Sequence, residues 1–285
     1  MKCKVLLALL LVLPACTQRE GSSEPKARVP KQIISVVPSA TEMLFALGVG
    51  DRVIAVGDYD RFPPEVESKP RIGGLLNPNI EKIIEMKPDL VLTYGSQEAL
   101  RLRLNAVGIR LYAFTHGDIE HTLDYIIELG KTVGEENRGR EIVGRIHAAF
   151  DDLRKTAPAA RPSVLVVHNR GAGLLGSFYS VGSKAFQHEL IDIAGGRNVL
   201  GDLQQEVVQP TLEEILRRAP DIIIETIPPP ASEADIRQRE NDWKTLKNVP
   251  AVQKGRVFVV ADDYLLVPGA RLDQAARRFA ELIRK

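Results

Sequence analysis

The segment NPNIEKIIEMKPDLVL at residues 77–92 is written a second time, as QPTLEEILRRAPDIII at 209–224. Pro78, Glu81, Ile83, Pro88 and Asp89 recur as Pro210, Glu213, Ile215, Pro220 and Asp221, each 132 residues later. In the first copy Asn79 stands where an N-cap belongs, Ile80, Ile83 and Ile84 form a helical stripe, and Pro88 ends the helix before the apolar run Leu90 to Leu92. The second copy predicts a helix over Thr211 to Arg218, with Thr211 and Glu214 as a capping box, and a strand over Ile222 to Glu225. A chain that writes one short helix and strand twice has two similar halves, each needing its own sheet to bury that strand.

The flanking sequence supplies those sheets. Ile33 to Val37 and Val53 to Val56 are short β-rich runs around a helix with apolar positions at Met43, Leu44, Ala46 and Leu47, capped by Ser39 or Thr41 and stopped by Gly48. Tyr59 to Pro64 is a loop, Leu100 to Val107 a helix and Ile109 to Ala113 a strand. After the midpoint the alternation restarts with strands at Val164 to Val167 and Val257 to Val260, and helices at Ala185 to Ile193 and Leu272 to Arg284. Strands alternating with helices predict parallel sheets covered on both faces. Between the halves, Ile119 to Leu153 carries a helical pattern that breaks near Gly134, and its second part, Glu135 to Thr156, would extend about 33 Å, enough to join two lobes.

The N-terminus reads MKCKVLLALLLVLPACTQRE, with Lys2 and Lys4 before a nine-residue apolar run, Val5 to Leu13. That run is short for a bilayer span and reads as a signal segment. Leu13-Pro14-Ala15-Cys16 resembles a bacterial lipobox, which makes Cys16 the predicted lipidation site; the alternative is a plain secretory signal with an incidental cysteine. Cys3 lies within the signal, so the exported chain has no disulfide. Residues 17–31 are polar and rich in Ser, Pro and charge, and read as a disordered tether. The predicted organisation is thus a signal peptide over 1–16, the tether over 17–31, an α/β lobe over 32–117, a bridging helical stretch over 118–157 and a second α/β lobe over 158–285.

Charge argues against a polyanionic partner. The formal net charge is +1, and without Lys2 and Lys4 the count is 36 basic residues against 37 acidic, so nucleic acid is not an expected partner. Gly171-Ala-Gly-Leu-Leu-Gly176 matches G-x-G-x-x-G after a strand, but SFYSVGS follows it and starts no helix, so it reads as a flexible strand-end loop. His116, His121, His147, His168 and His188 show no metal-ligand spacing and read as surface or hydrogen-bonded residues. No nucleophile elbow or catalytic carboxylate pair stands out, and no cofactor or metal is expected. Glu81 and Glu213 have a local role available, since a carboxylate in a first helical turn is stabilised by the helix dipole by about 0.3–1 kcal/mol. That does not explain why both halves carry it at the same point.

The stretches IISVVPSATEMLFALGVGDRVIAVGDYDRFPPEV and IGGLLNPNIEKIIEMKPDLVLT resemble the N-terminal lobe of substrate-binding proteins of ABC importers for cobalamin, ferric siderophores and haem. FQHELIDIAGGRNVL, QPTLEEILRRAPDIII and WKTLKNVPAVQKGRVFVVADDY resemble the elements of the second lobe, and the match runs in order from about residue 32 to 283. The resemblance implies two Rossmann-like lobes bridged by a long spanning helix, with the ligand in the cleft between them. It implies that Glu81 and Glu213 dock the lobes onto arginines of a permease dimer, which works with its ATPase subunits; a two-fold partner needs two equivalent contacts.

Among the branches of that family, GDYDRFPP and GGLLNPN look most like the cobalamin binders. Tyr59, Tyr94, Tyr179 and Tyr264 then match positions that hold the corrin ring, and Asp263 matches an acidic residue in contact with ligand. Leu75 and Val207 stand where tryptophans occur in the best-known cobalamin binder, which leaves a different corrinoid or an iron chelate open. Trp243 is expected in the core rather than in the pocket. The implied protein is an exported, lipid-anchored carrier for a corrinoid, at the periplasm or cell surface. The competing readings are a ferric siderophore or haem carrier of the same fold and a Rossmann-type nucleotide-dependent enzyme using the Gly171 loop.

Overall fold

The structure, a computed structural model, describes residues 28–168 and 170–285. The predicted signal, the lipobox with Cys16 and most of the tether lie outside them. Two sheets carry the fold. In the N-terminal lobe β1 (Ile33–Ser35), α1 (Pro38–Ala46), β2 (Val53–Val56), α2 (Ile80–Glu85), β3 (Leu90–Tyr94), α3 (Glu98–Ala106) and β4 (Leu111–Phe114) alternate. Their strands are all parallel in the order β2-β1-β3-β4.

The chain then forms α4 (Ile119–Val133) and α5 (Glu136–Lys155). The expected break is at Gly134, a left-handed residue at φ 82° that ends α4. The second helix folds back along the first, so closely that a Cβ on Gly139 would lie 3.1 Å from the Ile126 carbonyl oxygen. Its twenty residues extend about 30 Å at 1.5 Å per residue. At its start Arg138 donates to the Ala46 carbonyl of the first lobe, while Arg145 meets Asp273 and the Ala270 carbonyl of the second. The spanning element is therefore a helical pair of which α5 makes the crossing.

The C-terminal lobe contains β5 (Ser163–His168), β6 (Tyr179–Val181), α6 (Phe186–Ile193), β7 (Arg197–Asn198), β8 (Val207–Val208) and α7 (Leu212–Arg218). There follow β9 (Ile222–Thr226), α8 (Glu233–Trp243), α9 (Pro250–Gln253), β10 (Val257–Val260) and α10 (Leu272–Arg284). The strands run in the order β10-β9-β5-β6-β8, with β7 also on β5. Here the sheet is mixed: β6 lies antiparallel to both β5 and β8. Alternation along β5 sends Val164 and Val166 into a core continuous with the first lobe, and Leu165 and Val167 into a second core beneath α8.

Both copies of the repeat do the same work. The strands β3 and β9 pair with the first strand of their own lobe, Ile33 opposite Leu90 and Val164 opposite Ile222. Asp89 accepts from the amides of Lys31 and Gln32 at 2.8 and 3.0 Å, and Asp221 accepts from the Ser163 amide and hydroxyl at 3.0 and 2.8 Å. Each aspartate thus secures the entry to its lobe's first strand, and those hydrogen bonds, led by the backbone amides, hold both carboxyls below the usual range. The helices even end alike, on left-handed Lys87 and Ala219 at φ 48°.

Two cap expectations are corrected. α1 starts at Pro38 without a side-chain cap, and Ser39 and Thr41 lie in its first turn, where Thr41 donates to the Val37 carbonyl. Proline at the first position lacks an amide that a helix start would leave unpaired, and its fixed φ suits the first turn. Only half of the expected capping box forms: Thr211 accepts from the Glu214 amide at 3.2 Å, but the Glu214 carboxylate turns to Arg218 at 2.9 Å. Among the described residues no helix is long and apolar enough to cross a membrane.

Candidate functional site

Three contiguous cavities follow the cleft between the lobes. One, of about 460 Å³, lies between Tyr59 and Phe62 of the first lobe and Pro228, Pro229, Asp263 and Leu266 of the second. Leu266 also lines the next, about 360 Å³, with His116 facing His168, Tyr179, Val207 and Glu206. His116 and Glu206 in turn border a third, about 530 Å³, which is more polar and contains Asp118, Ser183, Lys184 and Glu189.

The N-terminal wall is built on the ends of the parallel strands. Tyr59 follows β2, is 66% exposed, and its ring packs over Gly74, where a Cβ would come within 3.4 Å of the ring. The loop carrying Gly74 and Leu75 is tied down by Gln97, which donates to the Leu75 carbonyl and accepts from the Tyr94 amide. Tyr94, at the end of β3, does not line these cavities: His116 stacks on it at 5.1 Å and Phe114 meets its edge at 5.6 Å. Burial and, secondarily, the Glu206 charge push its hydroxyl up to about 12.

The C-terminal wall comes from β5, β6 and β8. Tyr179 and Val207 are 43% and 57% exposed on it. Beside them His168 is bound through Nδ1 to the Thr226 hydroxyl, and burial lowers its pKa to about 4, so the ring is neutral near pH 7. Polar contacts cross the cleft between the lobes here. His116 Nδ1 lies 3.3 Å from Glu206 Oε1, and Glu189 of α6 accepts from the Ile119 amide at the start of α4, at 3.0 Å.

Asp263 lies on the cleft but is held by Arg271, whose two terminal nitrogens reach its two oxygens at 2.9 and 3.1 Å. The same guanidinium grips Glu42 of α1 at 2.9 and 2.5 Å and lies 3.7 Å from the Phe62 ring centre. Burial raises the Glu42 carboxyl to about 7 even against Arg271, whose charge is shared with Asp263. Tyr264 packs on the core side of this cluster rather than on the cavities, and Leu75 is likewise absent from their lining. A separate cavity of about 470 Å³ lies between α1, α5 and α10, sharing Glu42 and Phe62 with the cleft wall. Its Arg138, Arg145 and Arg271 are already engaged by Glu141, Asp273 and Glu42.

Trp243 is wholly buried and donates to Glu225 at 2.7 Å, as expected of a core residue. Glu225 is also gripped by Arg170 and Arg239, each at 2.8 Å. Arg170 and the Gly173 amide both meet Asp242, so the loop read as flexible is anchored. It leads into β6, not into a helix, and lacks the context of a dinucleotide site. Among the described residues no three His, Cys, Asp or Glu side chains converge as a metal site.

Glu81 and Glu213 are both exposed in the first turns of α2 and α7, and neither enters an ion pair among the described residues. Along the sequence, Glu81 comes seven residues after Gly74, which packs under Tyr59, and Glu213 six residues after Val207.

The periplasmic binding protein profile matches residues 33–264. The chain belongs to the periplasmic binding protein family. YvrC of Bacillus subtilis, described as an uncharacterized ABC transporter substrate-binding lipoprotein, is 29% identical over 267 residues, covering 89% of this chain and 80% of the relative. The vitamin B12-binding protein of Photorhabdus laumondii is 23% identical over 256 residues, covering 88% and 87%. Among solved structures, the periplasmic haem-binding protein HutB of Vibrio cholerae superposes with a TM-score of 0.78 at 18% identity, over 89% of this chain and 99% of that one, a likeness of fold alone. The two-lobed α/β architecture and the ABC-importer resemblance read from the sequence therefore hold, and the family is one of solute binders rather than enzymes.

Sequence reasoning missed His116, His168, Glu206 and Leu266. The last two sit in segments without periodicity. Scored for metal spacing alone, the histidines gave no signal, although His168 closes a strand whose end must face the cleft.

Proposed function

We propose that this protein captures cobalamin or a related corrinoid outside the cytoplasm and delivers it to the permease of an ABC importer. The observation that carries this reading is a cleft with an exposed aromatic ring from each lobe, Tyr59 and Tyr179, on contiguous apolar cavities. Two such faces suit a flat macrocycle, whose binding energy comes from stacking and area burial. The similarity to a vitamin B12-binding protein supports the same cargo. Calorimetric titration with cyanocobalamin, cobinamide, haem and a ferric hydroxamate tests it. Corrinoid binding is expected, and Tyr59→Ala and Tyr179→Ala should each weaken it several-fold, since aromatic contacts add about 0.5–1.5 kcal/mol beyond burial. Binding of haem or the ferric chelate alone would reassign the cargo, and unchanged affinity in both variants would place the site elsewhere.

The carrier is held at the membrane by lipid on Cys16, a reading supported by Leu13-Pro14-Ala15-Cys16 and by a relative described as a lipoprotein. Cys16→Ala should release it from membrane fractions; a variant that stays membrane-bound would end the anchor reading.

A further inference from the structure

The charged groups along the cleft are unevenly matched. Asp118, Glu189 and Glu206 border the polar cavity against Lys184, and Glu42 and Asp263 stand on the Tyr59 side against Arg61. The strongest cation nearby, Arg271, is consumed by Glu42 and Asp263. Asp118 and Glu189 are partly spent on the first turn of α4, through the amides of His121 and Ile119. Glu206 is different: among the described residues the one polar contact of its carboxylate is the 3.3 Å approach of Oε1 to His116, and its side chain is 48% exposed.

His168 adds an acceptor of another kind. The Thr226 hydroxyl reaches both the Val167 carbonyl, at 3.2 Å, and His168 Nδ1, and by donating to the carbonyl it is free to accept from the ring. In that arrangement the imidazole proton is on Nδ1 and Nε2 carries a bare lone pair. Among the described residues Nε2 is buried and has no hydrogen-bond partner, on a side chain that lines the cavity with Tyr179 and Val207. A buried unsatisfied acceptor is costly, and a donor brought by the cargo would relieve it.

We propose that the cleft selects its cargo by the cargo's rim, with Glu206 and His168 accepting N–H donors such as primary amides and rejecting a rim of carboxylates. The corrinoid reading supplies only the skeleton on which this rule acts: a corrin edged with amides fits it, and a porphyrin bearing propionates does not. Amide N–H groups satisfy both acceptors, whereas a cargo carboxylate would face Glu206 with Lys184 as the one compensating cation on that cavity.

Paired ligands sharing a skeleton test the rule: cyanocobalamin against its monocarboxylic acid, in which one peripheral amide is hydrolysed, and haem dipropionamide against haem. Titration at pH 7.5 should show the amide member of a pair binding about fivefold tighter or more, the scale of two like charges about 4 Å apart in a wet site. Glu206→Gln should narrow the gap to within about twofold, since the like charge is gone. His168→Leu should weaken the amide ligand several-fold and leave melting close to the parent's. The acid member binding as well as the amide, or an unchanged gap in Glu206→Gln, overturns the proposal. Sorting of the haem pair without corrinoid binding would end the corrinoid reading and keep the rim rule. Failure of all four ligands to bind would end both.

Discussion

Asp60 follows the exposed Tyr59 in the GDYDRFPP segment and is 1% exposed, with neither carboxylate oxygen in hydrogen-bond geometry among the described residues. Burial raises its carboxyl from 3.8 to about 6, against weaker opposing pulls from Thr41, the Gly57 amide and Arg71. The folded protein therefore holds this proton more tightly than the unfolded chain does. Below pH 3.8 both states are protonated and the group costs nothing; stability then falls as pH rises through the window to about 6. The full loss is of the order of 3 kcal/mol, since each pK unit is worth about 1.4 kcal/mol. Asp60→Asn should be at least as stable as the parent at pH 7.5, and its melting temperature should change less between pH 4 and 6. Parallel stability profiles for the two proteins would show that the buried acid is not responsible. No sequence pattern marks this residue as buried, because groups distant in sequence, Thr41 and Arg71 among them, close around it.

Elements were legible where one period governs a long enough run. The helices α4, α5 and α10 and the strands β2 and β10 fall within a residue or two of their expected bounds, because their stripes and breakers, Gly134 above all, are local signals. The antiparallel strands β6 and β8 were not legible: three and two residues long, they are defined by partners far away in sequence. Helix α8 was missed for another reason. Its eleven residues, EADIRQRENDW, bury only Trp243, so no apolar stripe announces it, and it is held instead by the Ser232 cap and the Arg239–Asp235 and Arg237–Glu233 pairs. The site was half legible on the same terms. Tyr59, Tyr179, Val207 and Asp263 lie on the cleft, while His116, the next-but-one residue after β4, reaches the cleft by covering the Tyr94 ring.

At the scale of the whole molecule the repeat acquires a purpose beyond packing. Ile83 and Ile215 fill the cores, Asp89 and Asp221 secure the first strands, and neither job involves Glu81 or Glu213. Both helix starts are already capped, by Asn79 and by Thr211. What remains for the glutamates is the dipole term, about 0.3–1 kcal/mol each. Two exposed carboxylates at matching points of the two lobes suit a partner that itself has two-fold symmetry, as a permease dimer does. We propose that they dock against basic side chains of that dimer. In such a contact, removing one partner of a desolvated charge pair costs about 2–5 kcal/mol, because the other charge is left buried. Glu81→Ala and Glu213→Ala should then melt within a few degrees of the parent and bind cargo normally, while uptake through the cognate permease falls in each and most in the double variant. The comparison needs both readouts, cargo titration on purified protein and uptake in cells. If the double variant transports like the parent, the contact lies elsewhere. If it loses cargo binding instead, the two glutamates serve the cleft, and the symmetry of their placement records only that the two lobes are built alike.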